Sequence, residues 1–428
     1  MQDSDLTVDR CSDALEGVVL DVVVTGSVGA VEAVRFIRAL RRLGAEVFPW
    51  LTEGGARLIT PMSLEWAAAH PVTESFSGTA SHIAIHDACV VAPASADFIG
   101  RVASGLANVP AAALVMSYLG QKKPVIVLPN MHDSLLNAPK VQENIEAFKK
   151  WGVTILQGRR EEGKCKFPHP AILADEVAHL LNTNRLKLRV KKELHYSEPT
   201  VLLTMGGTRG YWDDVRFIGN YSSGALGSLV AEELFRSGFC VWVIAGPCEV
   251  LPRTYTHLER IETNQEMEDA MDRAVQEIPE GQLFGAVYAA AVLDFVPAQK
   301  VAGKIKSEKN GVGSSAGHSI NLVPTKKIIG SVLVPAKIKV GFKLESSISA
   351  GEAEAIAKTY MQRYQLSLMI VNAKSDVDRH RHKAYLFEKI SDHVSGELLS
   401  EPKVLLSKPD VAAGIADYIK RSLVELPH

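Results

Sequence analysis

The run of residues best suited to chemistry is MGGTRGYWDDVRFIGNYSSGALG, which covers positions 205–227. Gly206 and Gly207 directly follow a predicted strand, where the absence of a side chain lets backbone N–H groups approach a ligand closely. A helix is predicted at the other end of the run, and helix N-termini favour anions. The residues before that helix carry hydroxyl groups or no side chain: Ser222, Ser223 and Gly224. The run therefore predicts a binding site for a phosphate or a carboxylate.

Arg216 and Asn220 belong to the loop that leads into this helix. A guanidinium can neutralise a carboxylate or a phosphate, and an asparagine amide can donate a hydrogen bond to an acyl oxygen. Taken alone, the GGTRG fragment is better explained as a structural turn, and the serines as a helix cap. The complete run is more specific and favours a ligand-binding loop.

A second segment, AAAVLDFVPAQKVAGKIKSEKNG at 289–311, begins as a buried strand and ends in a lysine-rich loop. Small residues at the end of a parallel strand leave room for a ligand. Asp294 could accept hydrogen bonds from a sugar or a base, and Lys304 could stabilise charge on a transferring phosphoryl group. For Lys306 and Lys309, a solvated surface is the expected environment.

Two turns in the first half could also hold a phosphate. In VTGSVGA, which follows the first strand, Gly26 and Ser27 could cradle a phosphate at the start of the next helix. This turn is a common one and indicates little by itself. The segment VVAPASADF is more distinctive, because it closes a buried strand and opens a helix with small and hydroxyl residues: Pro93, Ala94 and Ser95.

Further polar or sulfur-containing side chains stand in three loops of the first half. They are His82 in SHIAIHDA, Met131 and His132 in PNMHDSLLNAP, and Cys165 in EGKCKFPHP. By contrast, His86 is more typical of a surface or core histidine. Cys89 lies inside a buried strand and is more typical of a small hydrophobic residue.

Two patterns of alternating strands and helices must position these residues. Uniformly apolar strands that alternate with helices are typical of a parallel sheet covered on both faces. The sequence thus predicts an α/β fold with two tandem Rossmann-like open parallel-sheet domains. The predicted divisions are an N-terminal tail over 1–16, a first domain over 17–181, a linker over 182–198 and a second domain over 199–428. The linker is assigned from its polar and basic composition.

Composition and charge exclude several classes of partner. The formal net charge of −2 gives no global attraction to nucleic acid or to a membrane surface. The five cysteines are odd in number and include no Cys-x-x-Cys, which argues against a disulfide framework and a zinc site, and no protein metal site is assigned. The N-terminus is polar and acidic, unlike a signal peptide, and no apolar run approaches the roughly 18 residues that span a bilayer. A cytoplasmic protein is expected.

The second half, from Thr200 onward, resembles the phosphopantothenate–cysteine ligases. The resemblance rests on VRFIGNYSSGALG, on AAAVLDFVPA with KIK, on VGFKLES at 340–346 and on VNAKSD at 371–376. It implies that the carboxylate of 4′-phosphopantothenate attacks the α-phosphate of CTP or ATP, that pyrophosphate leaves, and that the amine of L-cysteine attacks the acyl-nucleotide. Mg²⁺ would neutralise the triphosphate. GFKLES is partly similar to the eukaryotic form, which leaves the choice between CTP and ATP open.

The same resemblance implies roles for individual residues. Asn220 would hold the acyl-nucleotide, and Arg216 would assist there or in the cysteine step. Lys304 would serve the chemistry. The remaining matched positions would bind the nucleotide: Gly206, Gly207, Ser222, Ser223, Gly224, Asp294 and Phe342.

The first half resembles the flavin-dependent cysteine decarboxylases, specifically the phosphopantothenoylcysteine decarboxylases. This resemblance implies FMN as cofactor, oxidation of the substrate thiol, loss of carbon dioxide and no net redox change. Ser27 and Ser95 would contact FMN, with Gly26, Pro93, Ala94 and Met131 beside them in the matched motifs. His82 would be the active-site histidine, and Cys165 would donate a proton to the enethiol intermediate.

Two departures from the decarboxylase pattern stand at reacting positions. His132 replaces the asparagine that binds the substrate carboxylate in Pro-x-Met-Asn, and a protonated histidine could still bind it. Lys164 and Lys166 replace small residues beside Cys165, and their charges are expected to lower the pKa of its thiol.

These motifs together predict a bifunctional enzyme of coenzyme A biosynthesis with ligase and decarboxylase activities. The alternative is an active ligase whose first half is inactive, acts on another cysteine-containing substrate, or serves as an oligomerisation or binding module. A non-catalytic binding protein is a third possibility, which the complete ligase motif disfavours. Because the related flavoproteins form trimers and the ligase domains dimerise, the resemblance also implies a homo-oligomer.

Overall fold

The chain forms two compact units, Met1–Leu181 and Asn182–His428. The computed structural model describes residues 4–189, 198–305, 319–377, 382–392 and 396–424. Lys306 and Lys309, expected at the surface, lie outside these ranges. Within them, no helix is both long enough and apolar enough to cross a membrane.

The longer strands of the first unit are rich in valine and other apolar residues, which favour extended backbone. In chain order they are β1 Val19–Val24, β2 Glu46–Leu51, β3 Ala88–Ala94, β4 Val125–Pro129, β5 Met131–His132, β6 Thr154–Ile155, β7 Arg159–Glu161 and β8 Lys164–Lys166. A parallel sheet has the order β2-β1-β3-β4-β6. Every residue of β3 and β4 is buried, because helices cover both faces of a parallel sheet.

Helices of the first unit connect these strands. They are α1 Ala33–Arg42, α2 Glu53–Ala56, α3 Pro61–Ala68, α4 Ala96–Ala103, α5 Pro110–Gly120, α6 Asp133–Leu136 and α7 Pro139–Lys150. Helix α8 Pro170–Arg189 follows the last strand and belongs to the second unit from Asn182 onward. Helix α4 begins directly after β3, where the Ser95 side chain accepts the backbone N–H of Phe98 at 3.3 Å. This cap puts the start of α4 at the carboxyl edge of the sheet.

A small antiparallel sheet in the order β5-β8-β7 accompanies the main one. Met131 pairs with Cys165, and His132 pairs with Lys164. Two segments that are far apart in the sequence, PNMH and KCK, are therefore neighbours.

The second unit contains a larger set of strands. They are β9 Thr200–Met205, β10 Arg209–Tyr211, β11 Phe217–Gly219, β12 Cys240–Ala245, β13 His257–Arg260, β14 Leu283–Tyr288, β15 Phe295–Pro297, β16 Leu322–Pro324, β17 Ile338–Glu345, β18 Leu368–Val377, β19 His382–Asp392, β20 Gly396–Leu399 and β21 Lys403–Leu405. The main sheet has the order β13-β12-β9-β14-β17-β18-β19-β20, with β21 beside β19.

This sheet is parallel from β13 to β18 and antiparallel beyond. The predicted α/β class with parallel sheets is confirmed, and the second sheet adds antiparallel strands at this edge. The chain between Val377 and His382 is too short for the crossover that parallel pairing requires. Strand β19 therefore turns back along β18.

The helices of the second unit are α9 Ala225–Arg236, α10 Asn264–Glu277, α11 Ile328–Ser331, α12 Ala350–Tyr364 and α13 Lys408–Val424. Buried residues of α9 and α13 pack on one face of the sheet, and buried residues of α10 pack on the other. Capping boxes start α10 at Thr263 and α12 at Ser349.

The first part of the predicted linker over 182–198 is helical, so that prediction is wrong as far as Arg189. Helix α8 continues because Asn182 and Leu186 are both only 2% exposed. The side chain of Asn182 donates to the carbonyl of Arg236 at 2.8 Å. The polar and basic residues around Asn182 and Leu186 hid these buried positions in the sequence. Residues 190–197 lie outside the described part of the chain.

Candidate active sites

The Gly206–Gly207 turn is packed against other backbone. A Cβ atom on Gly206 would lie 2.4 Å from the carbonyl oxygen of Gly246, and one on Gly207 would lie 2.7 Å from that of Asn220. The N–H of Gly207 donates to Pro247 O at 3.0 Å. Close approach between chain segments therefore already uses the N–H of Gly207.

Asp213 is the centre of the loop between β10 and β11, and its side chain is completely buried. Its carboxylate accepts the N–H groups of Val215 at 2.8 Å, Arg216 at 2.6 Å and Ile305 at 3.2 Å. Burial alone would raise the pKa of this carboxyl group. The three N–H donors and the Arg216 guanidinium, 2.9 Å away, lower the pKa to about 2 instead.

Arg216 and the loop of Lys304 meet through this carboxylate. Arg216 Nη1 also donates to Ile305 O at 3.1 Å. The neighbouring Asp214 accepts the N–H of Gly303 at 2.7 Å and pairs with Lys300 at 2.8 Å. Both aspartates thus hold the loop that carries Lys304.

Lys304 itself is exposed. The structure brings its loop beside Arg216, as two residues acting on one substrate would require. Asp213 and Asp214, which organise this arrangement, were missed by sequence reasoning. Their signal was an adjacent pair of carboxylates just before VRF in the most distinctive run of the chain.

Asn220 stands beside the end of β14. Its Nδ2 atom donates to Val292 O at 3.0 Å and lies 3.4 Å from Ala291 O. The amide predicted to hold an acyl oxygen therefore contacts backbone carbonyls here. This contact positions the loop of Asn220 against the segment that carries Asp294.

Asp294 is exposed and forms an ion pair with Lys327. The backbone supports this pair, because Thr325 N donates to Asp294 O at 2.9 Å. Phe342 is half-buried in β17, the strand next to β14. Lys327 is a further residue that sequence reasoning missed, since it lies well beyond the AAAVLDF motif along the chain.

A cavity of about 300 Å³ lies beside the start of α9. Gly224 caps this helix with φ at +76°, a backbone conformation that favours glycine. The N–H of Ala225 lies 3.4 Å from Ser223 Oγ. The lining of the cavity includes three of the predicted residues and two cationic or aromatic neighbours: Gly207, Asn220, Ser222, Arg209 and Phe217.

In the first unit, Asn130 joins the first turn to the strand of Cys165. Ser27 Oγ lies 2.6 Å from Asn130 Oδ1, and the N–H of Gly29 donates to the same oxygen at 3.1 Å. Asn130 Nδ2 donates to Cys165 O at 2.6 Å. Sequence reasoning missed Asn130, although its position directly after a fully buried strand was visible.

Thr25 joins the first turn to the end of β3. Its hydroxyl donates to Pro93 O at 2.8 Å and accepts the N–H of Ser95 at 2.8 Å. Ala94 O accepts the backbone N–H of Asn130 at 3.0 Å. The structure therefore brings together six predicted residues: Ser27, Pro93, Ala94, Ser95, Met131 and Cys165. Gly26 lies beside them, where a Cβ atom would be 3.0 Å from Gly54.

Cys165 is only 6% exposed, and its Sγ atom lies 3.2 Å from Pro129 O. Burial raises the pKa of its thiol, although an N–H donor from Gly158 opposes the shift. The expectation that Lys164 and Lys166 lower this pKa is wrong. Side chains alternate along a strand, so the flanking lysines point away from the thiol.

His132 is exposed and caps the short helix α6. Its Nδ1 atom accepts the backbone N–H of Ser134 at 3.2 Å, which leaves Nε2 as the ring nitrogen able to donate. His82 packs edge-on against Phe76, with ring centroids 5.7 Å apart. The buried Nδ1 of His82 has no hydrogen-bond partner among the described residues.

The first site suits a phosphorylated cofactor. The hydroxyl group of Ser95 and the start of α4 lie at one edge of the sheet, and such donors favour a phosphate. The hydroxyl group of Ser27 donates to Asn130 instead. Ser95 Oγ uses a lone pair to cap α4, so its hydrogen is free to donate. Across the described residues of both units, no group of three or more His, Cys, Asp or Glu side chains could hold a metal ion.

Comparisons with known proteins cover both units. The family described as DNA/pantothenate metabolism flavoprotein C-terminal domain matches residues 196–422, more than half of the chain, and the family described as flavoprotein matches residues 10–182. A protein from Thermococcus kodakarensis is 31% identical over 425 residues, which are 96% of this chain and 97% of the relative. It is named coenzyme A biosynthesis bifunctional protein CoaBC.

Two bacterial proteins with the same name are also similar. One from Mycolicibacterium smegmatis is 31% identical over 398 residues, 89% of this chain and 90% of the relative. One from Escherichia coli K12 is 29% identical over 377 residues, which are 84% of this chain and 87% of the relative. With two family matches in this order and relatives aligned across both units, the chain belongs to the family of bifunctional coenzyme A biosynthesis proteins, in which a flavoprotein domain precedes a DNA/pantothenate metabolism domain.

Proposed function

We propose that this chain joins 4′-phosphopantothenate to L-cysteine in its second unit and decarboxylates the product to 4′-phosphopantetheine in its first. The observation that carries the proposal is the alignment with bifunctional relatives over 96% of the chain. A chain with a degenerate first half is not favoured, since the flavoprotein match spans residues 10–182. The first site also keeps a buried cysteine, whose carbonyl accepts from the same Asn130 amide that contacts the Ser27 hydroxyl.

In the ligase reaction, the carboxylate of 4′-phosphopantothenate attacks the α-phosphate of CTP or ATP. Pyrophosphate leaves, and the amine of cysteine then displaces the nucleotide from the acyl group. Arg216 and Lys304 stabilise the negative charge on the carboxylate and phosphate oxygens of the reacting groups. The contacts that Asp213 makes with Arg216 and Ile305 support this role, because they hold both cations on adjoining loops.

The nucleotide occupies the edge of the sheet beside β14 and β17. Asp294 accepts hydrogen bonds from its sugar or base, and Phe342 offers an aromatic surface. Lys327 pairs with Asp294 and faces the same region. Mg²⁺ enters with the nucleotide, bound mainly by the triphosphate and water, as is usual for this ion.

In the decarboxylase reaction, bound FMN supplies the reversible oxidation that makes loss of carbon dioxide easy. The Ser95 hydroxyl would donate to its phosphate, and the turn of Ser27 would lie beside it. The raised pKa of Cys165 keeps the thiol protonated at neutral pH, as a proton donor requires. Nε2 of His132 donates to the substrate carboxylate, and His82 lines the same site.

Two assays on the purified full-length protein test this proposal. A yellow protein with flavin absorbance is expected, and its released cofactor should have the mass of FMN. Pyrophosphate release should require 4′-phosphopantothenate and either CTP or ATP, and the nucleotide giving the higher kcat/KM identifies the physiological one. A colourless protein that releases no pyrophosphate with either nucleotide would overturn it.

The protein is further proposed to act in the cytoplasm as a homo-oligomer, with trimeric flavoprotein units and dimeric ligase units. Large apolar side chains at the surface of the first unit support such assembly, since Val28 is 76% exposed and Ile85 is 75% exposed. Native mass spectrometry should therefore give a mass well above that of one chain.

A further inference from the structure

Asn130 is the residue after β4, and its side chain is buried with a total exposure of 6%. Its Oδ1 atom lies 2.6 Å from Ser27 Oγ and 3.1 Å from the backbone nitrogen of Gly29. On its other side, Nδ2 donates to the carbonyl of Cys165 at 2.6 Å. One amide group thus connects the turn after β1 to strand β8.

The backbone of Asn130 makes further contacts with the same elements. Its N–H donates to Ala94 O at 3.0 Å, and its carbonyl oxygen lies 2.7 Å from Ser27 Oγ. A buried amide with partners on both sides is costly to remove, because the groups it leaves behind lose hydrogen bonds that water cannot replace.

Gly29 is shaped to admit this amide. A Cβ atom at Gly29 would lie 2.5 Å from Asn130 Oδ1 and 3.2 Å from the ring of Phe167. The first distance is too short for any real contact, so a side chain at Gly29 would force the amide away. The turn after β1 can therefore hold the Asn130 amide in this position only because residue 29 is a glycine.

We propose that Asn130 is a positioning residue of the decarboxylase site, which fixes the flavin-binding turn and the Cys165 strand relative to each other. This inference rests on the proposed function of the first unit. A proton donor must stay within hydrogen-bond reach of the atom it protonates, so the separation between cofactor and thiol has to be held constant. Asn130 contacts both the turn that would bind the cofactor and the strand that carries the thiol.

The test uses full-length Asn130→Ala, with Asn137→Ala, an exposed asparagine on the same segment, as the matched control. Two quantities are measured: the Kd for FMN, from fluorescence quenching, and the rate of Cys165 alkylation by iodoacetamide, from peptide mass spectrometry. Asn130→Ala should raise both by about tenfold, since it removes hydrogen bonds on both sides. Asn137→Ala should change neither. A change in only one quantity, or in neither, overturns the proposal.

Gly29→Ala provides a second route to the same result. It should reproduce both effects, because its methyl group displaces the amide, and the double variant should be no worse than Asn130→Ala alone. Additive effects in the double variant would contradict the proposal. If Asn130→Ala unfolds, so that the fully buried Cys89 also reacts, Gly29→Ala alone decides.

The alkylation rate does not depend on the enzymatic activity. A wild-type protein that binds FMN without decarboxylating would therefore refute the proposed function and leave this test readable. Conversely, an active wild-type enzyme with unchanged Asn130→Ala values would refute only the positioning role.

Discussion

The Oδ2 atom of Asp213 lies 2.9 Å from Nη1 of Arg216, within a carboxyl group that has no exposed surface. The same oxygen accepts the N–H of Ile305 at 3.2 Å. A single buried charge therefore holds a cation from one loop and the backbone of another. The position of Lys304 depends on this carboxylate, although the two residues are distant in the sequence.

Replacing Asp213 by Asn should lower kcat/KM for ligation by about 100-fold, because the loss of charge frees both Arg216 and the Lys304 loop. Pyrophosphate release measures this effect. Asp272→Asn, an exposed aspartate on α10, is the control and should retain full activity. Flavin absorbance should be unchanged in both variants. Wild-type ligation by Asp213→Asn would contradict the role given to this carboxylate.

Lys327→Ala should raise KM for the nucleotide by about tenfold and leave kcat nearly unchanged, as expected when a binding contact is lost equally from ground and transition states. The reason is that Asp294 loses its counter-ion beside the proposed nucleotide site. The adjacent Lys326 is exposed and provides a matched control. Equal effects of Lys326→Ala and Lys327→Ala would argue against a specific contact.

Cys165→Ser should reduce decarboxylation by about 100-fold, since a hydroxyl group is a far weaker acid than a thiol. Carbon dioxide release from 4′-phosphopantothenoylcysteine measures it. Pyrophosphate release in the second unit should remain at the wild-type level, which serves as the internal control. Unimpaired carbon dioxide release would show that a group other than Cys165 donates the proton.

Glu176 on α8 predicts a pH dependence of stability. Burial and the nearby Asp175 raise its pKa from 4.5 to about 7. Between these values the folded state binds a proton that the unfolded state does not, so the free energy of unfolding falls as the pH rises from about 5 to about 8. Thermal unfolding of the wild type and of Glu176→Gln at both pH values tests this. The variant should lose less stability, and equal losses would exclude the assignment.

The sequence predicted the fold class because its strands are short, apolar and separated by helical stretches. It also predicted the family, which the full-length relatives confirm. Hydroxyl residues at strand ends, such as Ser27 and Ser95, lie in loops that Thr25 joins in the structure, and their roles at a cofactor stay predictions. These features depend on short-range sequence patterns, which can be recognised in a single sequence.

Which residues of distant segments form hydrogen bonds or ion pairs with each other could not be predicted in the same way. The Asp213 carboxylate could have faced solvent, and only the folded loop shows that it binds Arg216 and Ile305. Asn130 likewise reads as an ordinary residue after a strand. Hydrogen bonds over long sequence separations leave no period or spacing in the chain.

The electrostatic expectation for Cys165 was wrong for a related reason. Lys164 and Lys166 are its neighbours in sequence, but strand geometry turns them to the opposite face, where Lys166 pairs with Glu162 at 2.7 Å. Burial then decides the direction of the pKa shift. Within a strand, a charged residue next in sequence therefore need not shift the pKa of its neighbour, because the two side chains point to opposite faces.

One measurement tests the central claim that a single chain performs both reactions. The full-length protein is incubated with FMN, 4′-phosphopantothenate, the preferred nucleotide and cysteine labelled in its carboxyl carbon, and pyrophosphate and labelled carbon dioxide are followed together. The account predicts that both products appear in equal final amounts, and that omitting the nucleotide abolishes both. Pyrophosphate without labelled carbon dioxide, or neither product with CTP or ATP, would contradict it.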